Sequence, residues 1–247
     1  MEEKELSYND IKRGLKIPTI LSKELAEETG IHIGDGNLGV HPNGKSLKYQ
    51  YSISGWTGDE DYLKEYVVPL MHKIYGIYPS VYRSKTSKSI ELHYQSKGLV
   101  HFKKSLNLPL GRKDDLVIPN IILHSKFKQD FIRGLFDTDG SICFKKRYKD
   151  INYYPSISMG SKSTSLILQV SKILSAIGFR FSVTLEIVSY RNNSKCKISR
   201  IDIYGKKNLL KWMEIIGTSK KRNIEKFKFW KEHGYVHNEM IKAPAGI

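Results

Sequence analysis

The chain carries the same order of apolar and polar patterns twice. One copy begins at Ile17-Pro18-Thr19-Ile20-Leu21 and the other at Ile118-Pro119-Asn120-Ile121-Ile122. Apolar residues at helical spacing follow in residues 25–33 and again in 127–135. Strand-like and helical stretches then alternate in matching order, as expected of a duplication. Each copy therefore predicts helix, two strands, helix, two strands and helix, an α+β fold made of two αββαββα repeats.

Four of these elements are predicted most directly. Alternating side chains indicate strands at 49–54 and 153–158, and helical periodicity indicates helices at 59–75 and 163–177. Gly76 and Gly178 follow the two helices and favour the left-handed residue that ends a helix. The third and fourth strands of each repeat follow, and 223–233 predicts a last helix.

The repeats divide the chain into four parts. We expect an N-terminal extension at 1–16, a first repeat at 17–117, a second repeat at 118–237 and a C-terminal tail at 238–247. The extension is charged and lacks the apolar stretch of a signal peptide, and nothing predicts a membrane span. Two cysteines without metal-site or disulfide spacing favour a reducing intracellular compartment, the cytoplasm or an organelle matrix.

The first helix of each repeat ends in an aspartate followed by a glycine. Asp35 and Asp139 stand 104 residues apart, and Gly36 and Gly140 predict a left-handed residue after each helix. Small residues four apart predict that the two helices pack closely. Two carboxylates at helix C-termini oppose the helix dipoles and repel each other, so a divalent cation with oxygen ligands is expected there. Two unrelated Asp-Gly turns are the alternative, which matched positions disfavour.

The charge indicates a polyanionic partner. The net charge is +16, and residues 1–123 carry 17 basic and 15 acidic side chains against 24 and 10 in residues 124–247. The excess is +2 in the first half and +14 in the second. A surface that neutralises phosphates gains affinity from the counterions it releases, so nucleic acid is expected. A ribosomal or membrane-surface protein would have a similar charge.

The predicted strands place polar side chains on one face and apolar ones on the other. Such a face can read base edges in a major groove, and a merely solvated sheet face is the alternative. The candidate DNA contacts are Lys48, Gln50, Arg83, Lys85, Lys145, Arg147, Arg180, Thr184 and Lys197.

Two nonamers, Glu28 to Gly36 and Ile132 to Gly140, resemble the signature of the LAGLIDADG homing endonucleases. The second is the closer match. The first departs from the pattern with Glu28, Thr29 and His32. The similarity extends through the order of helices and strands and covers roughly residues 17 to 232.

The resemblance implies a pseudo-twofold monomer in which the motif helices pack centrally and two four-stranded antiparallel sheets form a DNA-binding saddle. It implies site-specific double-strand cleavage, as in intron homing, with one phosphodiester hydrolysed on each strand of duplex DNA. Mg²⁺ or Mn²⁺ would be held by Asp35 and Asp139, with Ca²⁺ as a non-catalytic substitute. Asp137 points to nearly the opposite side of its helix.

The family also implies a catalytic lysine after the second strand of each repeat, and Lys162 matches that place. Repeat one has Gly58-Asp59 at the position that corresponds by sequence. Either Lys45 or Lys48 substitutes, or the first site is weaker, or the two strands are cut at unequal rates. Our hypothesis is the last.

Other readings differ in their partner or chemistry. An RNA-splicing maturase would bind intron RNA with the same basic faces, and a non-cleaving DNA-binding regulator would keep the fold without the reaction. Residues 34–39 match G-x-G-x-x-G, but a helical pattern precedes them and His41-Pro42 follows where a nucleotide-binding helix should begin. This context strongly disfavours a dinucleotide site.

Overall fold

The computed structural model describes residues 6–113, 115–191 and 194–241. Residues 1–5 of the predicted extension and 242–247 of the predicted tail lie outside the described chain. The chain divides into two compact units: unit 1 is Met1–Lys113 with Pro119–Leu135, and unit 2 is Asp114–Ile118 with Phe136–Ile247. No helix in the described ranges is long and apolar enough to cross a membrane.

Unit 1 contains a four-stranded antiparallel sheet in the order β1-β2-β4-β3. The predicted helix at 59–75 is realised as a 3-10 turn (Thr57–Asp59), a π-helical segment (Tyr62–Val67) and then α3. The helices and strands are α1 (Tyr8–Lys12), α2 (Lys23–Asp35), β1 (Gly36–Asn43), β2 (Ser46–Trp56), α3 (Val68–Tyr75), β3 (Ser80–Arg83), β4 (Ser89–Gln95), α4 (Lys97–Ser105), α5 (Asn120–Leu123) and the first part of α6 (Lys128–Asp139).

Unit 2 contains a second antiparallel sheet of the same topology, in the order β5-β6-β8-β7. Its elements are the end of α6, β5 (Gly140–Lys145), β6 (Tyr154–Ser161), α7 (Thr164–Ala176), β7 (Phe181–Arg191), β8 (Ser194–Tyr204), α8 (Lys206–Ile215), α9 (Lys221–His233) and α10 (Asn238–Ile241). The predicted α+β class and the element order of both repeats are confirmed.

Each sheet has one face covered by helices and one polar face. In β2, Tyr51 and Ile53 are fully buried beneath helices, while Gln50 and Ser52 alternate onto the other side. In β6, Ile157 is on the helix-covered face, and Ser158 pairs with Asp202 on the other. We call these surfaces the helix-covered face and the polar face of each unit.

The glycines after the two motif helices have a different role from the one predicted. Gly36 has φ −80° and ψ 155°, and neither it nor Gly140 is among the residues with positive φ. A Cβ at Gly36 would lie 2.6 Å from the Cα of His32, and one at Gly140 would lie 2.1 Å from the Cδ2 of Phe136. The left-handed prediction was wrong. Glycine is required because the following strand runs close to the last turn of the helix.

The other predicted helix ends are partly confirmed. Ser22 caps α2 by accepting a hydrogen bond from the Leu25 N–H, and Gly76 and Gly178 are left-handed at φ +70° and +77°. Ser125 does not cap a helix. It accepts from the Phe127 N–H in a turn, and α6 begins later, at Lys128.

Candidate active site and nucleic-acid interface

Within unit 1, α2 packs against the first part of α6 with backbone touching backbone. A Cβ at Gly30 would lie 2.2 Å from the carbonyl oxygen of Phe131, and one at Gly134 would lie 2.0 Å from that of Glu27. No side chain larger than hydrogen fits at either place. The close packing predicted from small residues is confirmed for this part of the helix pair.

A partly buried ion pair joins the same two helices. Arg133 donates to both carboxylate oxygens of Glu27, at 3.0 Å from Nε and 2.6 Å from Nη2, and the Tyr66 hydroxyl donates to Glu27 at 2.6 Å. Burial lowers the pKa of Arg133, but the hydrogen bonds and charge of Glu27 raise it above its usual value. Bidentate geometry of this kind fixes orientation as well as distance.

The unusual Glu28 of the first motif is explained by a second buried network. Its carboxylate accepts from the hydroxyls of Tyr51 at 2.8 Å and Tyr75 at 3.0 Å, and it is ion-paired with Lys103, whose side chain is also fully buried. Burial and the charge of Glu28 raise the pKa values of both tyrosines. Glu28 is therefore a structural group of unit 1.

His32 packs within this network. Its ring stacks on Tyr51 at 4.8 Å between centroids, and neither ring nitrogen has a hydrogen-bond partner in the described chain. Burial holds the pKa of His32 well below its usual value, and the positive charges of Lys103 and Lys113 lower it further. The ring is therefore neutral at physiological pH.

Asp35 is the half-buried last residue of α2, and a lysine lies at that helix end. The Lys113 ammonium donates to the carbonyl oxygens of Ile33 at 2.9 Å, His32 at 3.3 Å and Gly34. A cation there offsets the negative end of the helix dipole. The sequence analysis missed Lys113, because only its place in the connection after α4, beside Arg112, could have drawn attention to it.

Asp139 is the exposed last residue of α6, in unit 2. Asp137 is fully buried and accepts hydrogen bonds from the Thr218 hydroxyl and from the Ser219 N–H, the latter at 2.7 Å. The predicted difference between these two acids is confirmed. Asp137 holds the end of its helix against the segment after α8, while Asp139 is exposed to solvent.

The strand register locates Lys162 and its counterpart. In unit 2, Gly140 pairs with Met159, and the exposed Lys162 is three residues further on, just after β6. In unit 1, Gly36 pairs with Ile53, so the same place is taken by Trp56. The correspondence of Gly58-Asp59 with Lys162 is therefore corrected. The indole N–H of Trp56 is buried and has no hydrogen-bond partner among the described residues.

The two lysines expected to substitute in unit 1 lie elsewhere. Lys48 pairs with His41, five residues along β1 from Gly36, and Lys45 lies in the turn beyond. At about 3.4 Å per residue, Lys48 is roughly 17 Å from the Asp-Gly end of the hairpin. Neither lysine is beside Asp35.

The acids offer a donor set suited to a hard cation. Within residues 6–113, 115–191 and 194–241, no three His, Cys, Asp or Glu side chains come together as a ready-made metal cluster. Each motif helix instead ends in one aspartate beside helix-terminal carbonyl oxygens. Mg²⁺ and similar ions often take one or two carboxylates and fill the remaining positions with water and phosphate oxygens. The residues therefore fit such an ion.

Most candidate DNA contacts lie on or beside the polar faces. Lys48 and Gln50 are on the polar face of unit 1, and Lys145 and Thr184 are on that of unit 2, with Arg180 preceding β7 in the same alternation. Lys85 is exposed in the loop between β3 and β4. Arg147 is exposed after β5, with its guanidinium 4.6 Å from the Tyr154 ring centroid.

The strand register places two candidates on the helix-covered side of their sheets. Arg83 pairs opposite the buried Ile90 on the helix-covered face, where it is ion-paired with Glu60. Hydrogen bonds from Lys64 and Arg83 lower the pKa of Glu60. Lys197 alternates onto the side of Ile201 and is ion-paired with Glu186 at 2.6 Å. Both basic residues therefore lie on the helix-covered side of their sheets, and their contact with DNA stays a prediction.

The polar faces also contain residues that the sequence analysis did not select. Arg200 and Tyr204 lie on that of unit 2, and Arg200 is paired with Asp202 at 2.8 Å. In unit 1, Tyr82 is 61% exposed and stacks on His93. The alternation of Arg200, Asp202 and Tyr204 with isoleucines was the signal that could have identified β8.

Comparison with protein families and curated proteins supports the resemblance. Residues 126–217 match the LAGLIDADG-like domain. A DNA polymerase of Thermococcus litoralis is 27% identical over 170 residues, which are 68% of this chain and 9% of the polymerase. An uncharacterised protein of Methanocaldococcus jannaschii is 25% identical over 179 residues, 71% of this chain and 62% of that protein. The chain thus spans less than two thirds of either relative.

Solved structures share the fold. I-DmoI in complex with DNA and Mn matches with a TM-score of 0.54 and 21% identity, over 79% of this chain and 96% of that one. The LAGLIDADG homing endonuclease I-GzeII in complex with its DNA target matches with a TM-score of 0.56 and 9% identity, over 90% of this chain and 94% of that one. The N-terminal LAGLIDADG domain of DUF199/WhiA matches with a TM-score of 0.51 and 13% identity, over 90% of this chain and 96% of that one. At these identities the likeness is one of fold.

The two motif nonamers, the matched order of elements and the paired sheet topologies agree with these comparisons. Residues 126–217 thus match a LAGLIDADG-like domain, and the chain shares the two-domain fold of the solved LAGLIDADG homing endonuclease structures.

Proposed function

We propose that this protein is a site-specific DNA endonuclease that cuts both strands of a long duplex site with Mg²⁺ or Mn²⁺. One observation carries the proposal. Glu27, Glu28 and Asp137, the other carboxylates within three residues of the motif glycines, are buried inside the protein. Asp35 and Asp139 end the same helices at half-buried and exposed positions. They are the acids placed to meet a ligand from solution.

The chain's own groups have distinct roles in this reaction. Asp35 and Asp139 supply carboxylate oxygens for divalent ions, and Lys162 supplies positive charge for the phosphate in unit 2. Asp137 and Thr218 hold the end of α6, and Lys113 holds the end of α2. When bound, the metal lowers the pKa of water and stabilises charge on the leaving oxygen.

Duplex DNA is the proposed substrate because basic and hydrogen-bonding side chains line the polar face of both sheets. Lys48, Gln50 and Arg200 could contact phosphates or base edges. I-DmoI and I-GzeII, which share the fold, have been crystallised with DNA. We infer that the protein acts as a monomer inside the cell, with each unit addressing one strand.

We further propose that the strands are cut at unequal rates. Unit 2 has Lys162 three residues past the strand pair that follows Asp139, while unit 1 has Trp56 at that register position. An indole cannot supply positive charge to a phosphate. The strand addressed by unit 2 is therefore expected to be cut first.

Cleavage of a randomised duplex library tests the proposal. The full-length protein is incubated with Mg²⁺ or with EDTA, and the cut ends are sequenced. One long site cut on both strands only with metal is the expected result. Asp139→Asn should abolish the cut on one strand and Asp35→Asn that on the other, each with duplex binding retained. Asp150→Asn is the matched control, since Asp150 is 95% exposed and lies outside both motifs.

Two outcomes would contradict the proposal. Tight metal-independent binding without a cut would identify a DNA-binding regulator. Binding to a folded intron RNA, with no duplex site enriched, would identify a maturase.

A further inference from the structure

The two polar faces differ in the charge of one central side chain. A path of paired residues leads from each motif glycine to an interior strand of its sheet, through Gly36, Ile53 and Leu92 in unit 1 and through Gly140, Met159 and Ile201 in unit 2. Glu91 precedes the end of the first path, and Arg200 precedes the end of the second. The two side chains therefore occupy equivalent positions, at which unit 1 has a carboxylate and unit 2 has a guanidinium.

Both side chains are accessible on the polar face. Their neighbours along the strands are buried, namely Ile90, Leu92, Ser199 and Ile201. Because successive side chains of a strand point to opposite faces, Glu91 and Arg200 point away from the helices. The two side chains are 37% and 48% exposed, respectively. Since β4 and β8 are interior strands, both residues lie in the middle of a face and not at its edge.

An aspartate fixes the orientation of Arg200. The Arg200 Nε donates to the Asp202 Oδ2 at 2.8 Å, and the Asp202 side chain is only 10% exposed. No residue that the structure describes accepts a hydrogen bond from the two Nη groups. The pair has no net charge, so it adds little to counterion release at a phosphate. Its two outward donors instead match the O6 and N7 acceptors of guanine in the major groove.

A histidine fixes the carboxylate of Glu91 in unit 1. The His93 Nε2–H donates to the Glu91 Oε2 at 2.6 Å, and the Tyr82 ring stacks on the other side of the pair, over His93. A carboxylate accepts hydrogen bonds and repels phosphates, so its favourable partner on DNA is the amino group of a base. Cytosine presents its N4 amino group in the major groove. Adenine places the N7 acceptor beside its amino group, which disfavours a carboxylate.

We propose that Arg200 recognises a guanine in the part of the target bound by unit 2, and that Glu91 recognises a cytosine in the part bound by unit 1. Asp202 and His93 are positioning residues for these two side chains. The inference rests on the proposed binding of duplex DNA to the polar faces, and it assigns two bases of the target. The two parts of the target are therefore expected to differ at this equivalent position.

The test is selection of bound duplexes from a randomised library by the full-length protein, with Ca²⁺ in place of Mg²⁺. The wild type should enrich one site. Arg200→Gln should replace one guanine of that site with adenine, because a glutamine amide matches the N6 and N7 of adenine. Glu91→Gln should replace one cytosine with adenine at a different position of the site. Lys172→Gln, at an exposed position of α7 in unit 2, is the control and should enrich the wild-type site.

Affinity measurements separate a positioning role of Asp202 from a structural one. Asp202→Ala should lower the preference for guanine over adenine about tenfold, because the guanidinium loses its fixed orientation. Affinity for a random duplex should stay equal or rise by up to about threefold, since a negative charge is removed. Asp202→Asn keeps an acceptor for the Arg200 Nε and should retain most of the preference. A purely structural role would instead lower both affinities together.

Digestion of the selected duplexes with Mg²⁺ keeps base recognition distinct from cleavage. A site that is cut but has the same bases in wild type, Arg200→Gln and Glu91→Gln would overturn this inference and leave the proposed cleavage standing. Both base changes in a site that is never cut would support the inference and contradict the cleavage. Duplex binding without any enriched site would overturn both.

Discussion

The two motif helices end in similar sequences, but the side chains that they bury differ. In unit 1, α2 buries Glu28 and His32 among tyrosines and Lys103. In unit 2, the end of α6 buries Phe136, which packs edge-on against Trp212 at 4.8 Å. Both helices nevertheless end in Asp-Gly followed by a strand. The comparison indicates that both helix ends need the terminal aspartate and its glycine. The buried side chains that precede them can be either polar or aromatic.

The polar interior depends on every group having its partner. A buried carboxylate costs several kcal/mol to desolvate, and the cost is offset only by good geometry and complete hydrogen bonding. Glu28 has one ammonium and two hydroxyls, so it meets that condition. The aromatic interior of unit 2 depends instead on the fit of its rings. Truncating one of them would lower stability by removing packing contacts and leaving a cavity.

The largest expected effect comes from breaking the polar interior. Lys103→Met should lower the free energy of unfolding by about 3 to 5 kcal/mol, because it leaves Glu28 charged and buried without a cation. Lys104→Met, at the exposed neighbouring position, is the control and should change it by no more than about 0.5 kcal/mol. Urea unfolding measures both. Equal stability of the two variants would contradict the role given to the ion pair.

The close helix contact should come next. Gly30→Ala places a methyl group 2.2 Å from a backbone oxygen, so the helices must separate. We expect a loss of about 2 to 3 kcal/mol in unfolding free energy. Gly160→Ala, where the nearest atom is 3.4 Å away, is the matched control. A Gly30 variant as stable as the Gly160 variant would show that the backbones are not in contact.

A smaller effect is expected where the proposed active sites differ. Trp56→Lys should speed the slower of the two strand cuts about tenfold, which is about 1.4 kcal/mol in the barrier, since it adds a cation where unit 2 has Lys162. Trp56→Phe is the control that keeps the position aromatic. Separately labelled strands of the enriched site give both rates. Faster cutting by both variants would mean that removing the indole, and not adding charge, is what matters.

The last expected effect is on the pH dependence of stability. His32 has a depressed pKa in the folded protein, so its contribution to stability is complete above its unfolded pKa of about 6.5 and is lost as pH falls below it. The loss should reach about 1.4 kcal/mol per pH unit at most. His32→Phe, which keeps the stack on Tyr51, should flatten this dependence between about pH 6.5 and 5. Identical pH profiles would show that His32 titrates freely.

The element order and the motif acids could be predicted from sequence because periodicity and duplication are local signals. Strand register is different, since it depends on how hairpins close. Trp56 could be matched to Lys162, and Arg83 moved off the polar face, only once cross-strand partners were known. Lys113 was missed because its contact with α2 joins distant parts of the chain. Gly36 was assigned the wrong role because close approach and left-handed backbone both select glycine.

One feature of the fold bears on how the gene can be divided. Residues 119–135, at the start of the second sequence repeat, belong to unit 1, so the compact units do not coincide with the repeats. A gene split in the connection at 114–118 would produce a first fragment without the helix that covers Gly30. That fragment would expose Ala26 and Gly30, both buried in the intact chain. Expression as two polypeptides would therefore require co-production, and activity restored on mixing would report fragment complementation.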